Sequence, residues 1–228
     1  VEFEMLREKF ALMSLEAFAL ESMTYLTAGM LGRKDDMAVE SAICKVFGTE
    51  AAWRAVNHAV QIAGGSGFMR EYPYERMVRD ARVNMIFEGT NEILRMFIAL
   101  NGMQGPRESL HALAKHKSVG ALGEFAARRL RRAVSRERIE KVAPALGHES
   151  DLVTEAAGDL AGQVESALIK HGKGILDREY VQSRIANAAI DLYAMSACIA
   201  RATSAVAKSG QDGARRELLL TKTFCAEA

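Results

Sequence analysis

Glu88 is the residue best placed to do chemistry. It stands in the run Ile86-Phe87-Glu88-Gly89-Thr90-Asn91-Glu92-Ile93, a lone carboxylate just before a glycine, with a helix starting close behind. A charge wedged among Phe87, Gly89 and Thr90 costs stability unless it is paired or used. Gly89 takes a side chain away from the approach to Glu88, so a substrate can lie against bare backbone. Thr90 or Asn91 can cap the helix that follows. Upstream lies a second run, Gln61-Ile62-Ala63-Gly64-Gly65-Ser66-Gly67-Phe68. Singly, Gly64-Gly65 reads as a helix C-cap and Glu88 as a carboxylate resting on a helix dipole. Together they read as a base beside a cofactor pocket.

The elements that must position these runs are helices. Residues 2–31 carry Phe3, Leu6, Phe10, Met13, Ala17, Leu20 and Met30 at intervals that keep one stripe apolar, and Gly32 can close the helix. The charged turn Arg33-Lys34-Asp35-Asp36 leads to a second helix of about 27 residues, with Ile43, Val46, Phe47, Val56 and Val60 on its buried face and Gly64-Gly65 at its end. Pro73 opens a shorter third helix. Glu88 falls at the turn into a fourth, where Ile93, Leu94, Phe97 and Ile98 recur at helical spacing. Residues 101–107 form a linker, and the chain then continues as helix over 149–172, 177–208 and from about Gly213 onward. The fold class expected is all-α. A four-helix bundle over 1–100 is followed by a second, incomplete helical portion over 108–228.

Composition narrows the function classes. The chain has 228 residues, 49% of them apolar, only three prolines and a net charge of +1, so no overall charge points to a nucleic acid or an acidic partner. Cys44, Cys198 and Cys225 lie far apart, without metal-ligand spacing, which favours a reducing compartment. The five histidines form no ligand pattern, and the eleven methionines read as core filler. Arg79-Asp80 reads as a structural ion pair. A chain that opens on Val1 reads as a piece of something longer.

Two motifs at fixed separation carry a resemblance. Gln61-x-x-Gly64-Gly65-x-Gly67-Phe68, followed by Glu71-Tyr72-Pro73-Tyr74-Glu75-Arg76, Val78-Arg79-Asp80-Ala81-Arg82 and Ile86-Phe87-Glu88-Gly89-Thr90-Asn91-Glu92-Ile93, resembles the C-terminal helical domain of the flavin-dependent acyl-CoA dehydrogenases. The resemblance implies FAD as cofactor and Glu88 as the base that takes the α-proton of a fatty acyl-CoA. The Glu88 N–H would donate to the thioester oxygen, and Gly89 would touch the thioester region. A buried base of this kind would have a raised pKa. Thr90, Asn91 and Glu92 would hold the flavin near its ring and pyrophosphate. Gln61, Ile62, Ala63, Gly64 and Gly65 would reach the adenosine end of the flavin in the neighbouring subunit. A homodimer follows, as does an electron-transferring flavoprotein as acceptor. The family's β-domain, which supplies much of the flavin pocket, is not in this sequence, so the piece alone is expected to be inactive.

The stretch after Leu100 resembles the very-long-chain branch of that family. Leu168-Ile169-Lys170-His171-Gly172-Lys173-Gly174-Ile175 pulls toward the very-long-chain enzymes. Leu20-Glu21-Ser22-Met23-Thr24-Tyr25 and Thr223-Phe224-Cys225 pull toward a relative that helps assemble respiratory complex I. The two readings, a dehydrogenase of long-chain acyl-CoA and an assembly scaffold of dehydrogenase ancestry, both stand at this point. Residues 117–141 hold eight Lys/Arg against three Glu, with Val119, Leu122, Phe125 and Leu130 broadly on one side. That is the pattern of a basic amphipathic helix that lies on an anionic membrane, or of a solvated bundle helix. The location implied is the matrix face of the inner mitochondrial membrane for a eukaryotic source and the cytoplasm for a bacterial one.

Overall fold

A computed structural model describes residues 2–33, 35–108, 110 and 139–228; the basic stretch 117–141 falls almost wholly outside the described residues. The long helices are α1 (Glu4–Gly32), α2 (Ala38–Ala63), α4 (Tyr74–Val83), α5 (Asn91–Gly102), α6 (Gly147–His171), α7 (Glu179–Gly213) and α8 (Arg215–Glu227). A single turn, α3 (Gly65–Phe68), follows α2, and two 3₁₀ segments, Pro144–Leu146 and Gly172–Asp177, bracket α6. No strand occurs among the described residues, so the all-α expectation holds. No helix among them is long and apolar enough to cross a membrane.

The breaks have local causes. Gly64 ends α2 with φ 59 and ψ −135, a conformation open essentially to glycine alone. Gly210, at φ 70 and ψ 177, kinks the last turn of α7 and turns the chain toward α8. Gly67 answers a different need. A Cβ there would lie 2.4 Å from the Val60 carbonyl oxygen, so the one-turn helix can fold back onto α2 only without a side chain at that position.

The buried face of α1 differs from the expected stripe. It is Leu15, Phe18, Ala19, Ser22, Met23 and Thr27, whereas Phe3 is 71% and Phe10 42% exposed. Hydropathy passes over Ser22 and Thr27 because they are polar. Each returns its hydroxyl to its own helix, Ser22 to the Phe18 carbonyl at 2.6 Å and Thr27 to the Met23 carbonyl at 2.9 Å, and is buried at little cost. The Arg79–Asp80 pair does not form either. Adjacent residues on a helix do not face each other, and the pairs run one turn apart instead, Arg79 to Glu75 at 2.9 Å and Arg76 to Asp80 at 3.6 Å.

One buried cluster runs through both portions of the chain. Met23, Val46 and Ile98 from the first hundred residues share it with Leu146, Ile190 and Ile199 from the extension. Each such side chain contributes about 1.5–3 kcal/mol relative to exposure. Helix α7 lies along α1 and α5 and also carries α6 and α8. Arg201 on α7 pairs with Glu21 at 2.6 Å while its guanidinium stacks 4.6 Å from the centre of the Phe18 ring, so the extension is joined to α1 by charge as well as by apolar contact.

Candidate functional site

The chain between α4 and α5 is folded into a tight loop by its own backbone. Ile86 and Phe87 N–H both donate to the Val83 carbonyl, at 2.9 and 3.1 Å, and the Asn91 N–H donates back to the Met85 carbonyl at 3.1 Å. Thr90 is the N-cap of α5, its hydroxyl accepting from Ile93 N–H at 3.4 Å. Closing so short a loop forces two successive left-handed residues, Glu88 at φ 54 and Gly89 at φ 92. Glycine adopts that region freely; for glutamate it costs roughly 1–3 kcal/mol. At Gly89 a Cβ would also meet Leu94 Cδ2 at 3.3 Å.

Side chains from α2 hold the loop in this shape. Lys45 Nζ donates to the Gly89 carbonyl at 2.7 Å and to Asn91 Oδ1 at 2.8 Å. Asn91, only 3% exposed, donates through Nδ2 to Thr49 Oγ1 at 3.0 Å and Glu50 Oε1 at 3.1 Å. Glu50 in turn receives both arms of Arg95, at 2.7 and 2.9 Å, a bidentate pair of the strong kind. Burial alone would push the Glu50 carboxyl up; the hydrogen bonds and charge of Arg95, with the Asn91 amide and Arg54, outweigh it and hold the carboxyl below its ordinary value. Lys45 is drawn below its ordinary value by desolvation, against the opposing pull of Glu92 and Glu50.

Glu88 is exposed, with Ile86 and Phe87 about half exposed beside it, instead of wedged among neighbours as its sequence context suggests. The loop lies on the surface of this chain, and the carboxylate has no hydrogen-bond or ion-pair partner among the described residues. The N–H groups of Glu88, Gly89 and Thr90 likewise have no acceptor among them. A free carboxylate and three free donors on one rigid turn can take a proton and stabilise a developing oxyanion.

A cleft of about 560 Å³ opens beside this loop, lined by Trp53, Arg54, Arg82, Thr90, Asn91 and Glu92 among others. Arg82 lies over the Trp53 ring, 5.9 Å from its centre. Arg54 is paired with Glu16, which leaves Arg82, the Trp53 ring and the free Thr90 N–H as groups suited to an aromatic ligand bearing negative charge. Of the three expected flavin contacts, Thr90 and Glu92 face the cleft with polar atoms to spare, whereas Asn91 has its amide and N–H already engaged.

The second expected segment sits elsewhere. Gln61, Gly64 and Gly65 are exposed and Ile62 and Ala63 half-buried at the far end of α2. Eleven residues separate Gln61 from Glu50 along that helix, roughly 16 Å at 1.5 Å per residue. A Cβ at Gly65 would meet nothing, so that backbone is open to approach. One helix thus positions both segments and keeps them apart within the chain.

Lys45, Glu50, Arg95 and Asn187 are functional candidates that no sequence motif singles out. A signal existed. Lys45, Thr49 and Glu50 recur at helical spacing on α2, and Asn91 and Arg95 sit four apart on α5, so polar groups face one another across two otherwise apolar helices. No group of His, Cys, Asp and Glu among the described residues could hold a metal ion.

Comparison with known proteins decides the lineage. The family described as "Acyl-CoA dehydrogenase, C-terminal domain" matches residues 1–103, and "ACAD9/ACADV, C-terminal domain" matches 144–228. The chain belongs to the acyl-CoA dehydrogenase family. It is 39% identical over 238 residues to the very long-chain specific acyl-CoA dehydrogenase, mitochondrial, of Macaca fascicularis, covering 99% of this chain and 36% of that protein. A probable acyl-CoA dehydrogenase of Bacillus subtilis is 30% identical over 250 residues, covering 99% of this chain and 40% of that protein. The chain therefore spans between a third and two fifths of these relatives. The Bacillus anthracis acyl-CoA dehydrogenase complexed with FAD matches in structure with a TM-score of 0.81 at 29% identity, covering 99% of this chain and 40% of that one. Caenorhabditis elegans ACDH-11 in complex with C11-CoA, at 16% identity and a TM-score of 0.58, shares the fold.

Proposed function

We propose that this chain is the C-terminal part of an FAD-dependent enzyme that introduces a double bond between Cα and Cβ of a long-chain fatty acyl-CoA, with Glu88 as the base. The observation that carries this reading is the Glu88–Gly89 turn, an unpaired carboxylate and free backbone donors held on one strained loop beside a cleft with a flavin-compatible donor set.

In this reading the Glu88 carboxylate removes the α-proton. The Glu88 N–H donates to the thioester oxygen as enolate-like charge builds there, and bare Gly89 lets the thioester lie close. FAD, when bound, supplies the acceptor for the β-hydride. Thr90 and Glu92 hold it near Glu88, with Asn91 fixing the loop from behind. Gln61, Ile62, Ala63, Gly64 and Gly65 serve the adenosine end of the flavin in a neighbouring subunit, as the family resemblance implies, and the open space at Gly65 supports a close approach there. The active protein is then a homodimer that passes its electrons to an electron-transferring flavoprotein. It works in mitochondria in a eukaryote and in the cytoplasm in a bacterium. In this reading the rest of the full-length protein completes the pocket and buries Glu88.

The test uses the full-length parent. Its flavin spectrum is recorded without oxygen as palmitoyl-CoA is added, with Glu88→Gln alongside. Rapid bleaching in the wild type, slowed about 10²–10⁴-fold or more in the variant, supports the reading. Bound flavin that never bleaches overturns it and favours an assembly scaffold of dehydrogenase ancestry.

A further inference from the structure

Lys45 has no part in the reaction sketched above, yet its side chain hydrogen-bonds the loop directly. Its ammonium bridges the Gly89 carbonyl and Asn91 Oδ1, at 2.7 and 2.8 Å. These two acceptors lie on either side of Thr90, so the bridge spans the junction between the left-handed pair and the first turn of α5. A peptide carbonyl held at one end fixes the plane of the Gly89–Thr90 peptide. With Gly89 itself held at φ 92 between that plane and Glu88, the fixed carbonyl limits how Glu88, one residue earlier, presents its side chain.

We propose that Lys45 is a positioning residue for Glu88, and that the extension braces this clamp through Asn187, Arg95, Glu50 and Asn91. The proposal rests on the reading of Glu88 as the base. The brace is continuous. Asn187 Oδ1 on α7 accepts from Arg95 Nε at 2.6 Å, Arg95 holds both oxygens of Glu50, and Glu50 Oε1 accepts from Asn91 Nδ2. Asn91 then presents its Oδ1 to Lys45. Every bond in the series is polar and directional, so a change of side-chain orientation at one end is felt as a change of geometry at the other. Residue 187 lies in the part of the chain matched by the ACAD9/ACADV C-terminal description, beyond the portion that holds Glu88.

The alternative for Lys45 is a purely structural bond that stabilises the fold without tuning the loop. Four observations on the full-length holoprotein separate the two. Lys45→Met should lower kcat about tenfold to a hundredfold, the scale of a displaced reacting group, with KM for palmitoyl-CoA and bound FAD within twofold of wild type. Lys45→Arg, which can still donate to both acceptors, should recover a large share of that loss. Hydrogen exchange of the Asn91 and Leu94 amides, bonded to the Met85 and Thr90 carbonyls, should quicken at least tenfold in Lys45→Met. Asn187→Ala, an exposed site whose change leaves the core intact, should give a smaller drop in kcat, about two- to fivefold, and a matching partial rise in exchange.

A Lys45→Met protein that loses thermal stability but keeps its kcat and its Asn91 exchange overturns the positioning role. Where Lys45→Met fails to fold, Lys45→Gln is measured in its place under the same criteria. An Asn187→Ala protein indistinguishable from wild type in both readouts overturns the brace. Absence of turnover in the wild type would defeat the assignment of Glu88 as base, while the exchange measurements would still decide whether Lys45 holds the loop.

Discussion

The Tyr193 hydroxyl lies 2.7 Å from Thr27 Oγ1, joining two residues 166 positions apart. Thr27 also lies 3.3 Å from Cys44 Sγ, so one small polar cluster ties α7 of the extension to α1 and α2. Such a cluster fixes the rotation of α7 about its own axis, which apolar packing alone does not specify. Tyr193→Phe should cost about 1 kcal/mol in urea denaturation, since Thr27 keeps its bond to the Met23 carbonyl. A loss above about 3 kcal/mol would mean that the hydroxyl does more than close this cluster.

Gln182 is fully buried, and its Nε2 holds the Ile175 carbonyl at 2.7 Å and the Leu176 carbonyl at 3.0 Å. It is the internal cap of the 3₁₀ turn between α6 and α7. Gln182→Leu keeps much of the volume but takes the amide donor from both carbonyls, leaving Ile175 with only the Arg178 N–H at 3.1 Å, and should destabilise by about 1–3 kcal/mol. The substitution also removes an Oε1 that has no partner among the described residues, which trims the loss without reversing it. A variant as stable as the wild type would show that the turn needs no cap.

Gly65 and Gly67 should respond differently to alanine. At Gly67 the new Cβ meets backbone, so Gly67→Ala should cost about 1–3 kcal/mol of stability and disturb residues 61–65 as well. At Gly65 there is open space, so Gly65→Ala should fold normally and lower FAD retention in the full-length dimer. Unchanged FAD content in Gly65→Ala would remove this segment from the cofactor site.

Glu50 predicts a pH dependence. Its carboxyl is held below its ordinary value of 4.5, so the folded state favours the ionised form. The stability it contributes is complete above about pH 4.5 and is lost as pH falls through the lower folded value. Glu50→Gln should therefore destabilise at neutral pH and flatten the stability curve in the acid limb, the two proteins converging at the acid end. Parallel curves across that range would mean Glu50 does not titrate with unfolding.

The helices were legible in the sequence because their ends are written in glycine and proline. Gly32, Gly64, Pro73 and Gly172 all fall at the boundaries the structure shows. The turn before α5 was legible too, since Gly89 and the Thr90 cap mark it ahead of an apolar run. The buried face of α1 was not, because Ser22 and Thr27 satisfy themselves inside the helix and hide from any hydropathy count. Nor was the clamp on the loop. Lys45 and Asn187 sit on different helices, and only the packing of α2 and α7 against α5 brings them into one network. The exposure of Glu88 was likewise invisible, because the neighbours Ile86 and Phe87 look like core residues in sequence yet lie at the surface of this chain.

The backbone at Glu88 works against its own side chain. A φ of 54 suits glycine, asparagine or aspartate better than glutamate. Left to stability alone, mutation would carry position 88 toward those three, and Glu88→Gly should give a firmer protein, by about 1 kcal/mol, that no longer abstracts protons. If Glu88 is the base, as proposed, the strain of about 1–3 kcal/mol at this position is a stability cost borne for the chemistry. A lineage that gave up the chemistry and retained the fold for some other purpose should lose it early, toward one of the three residues the turn prefers.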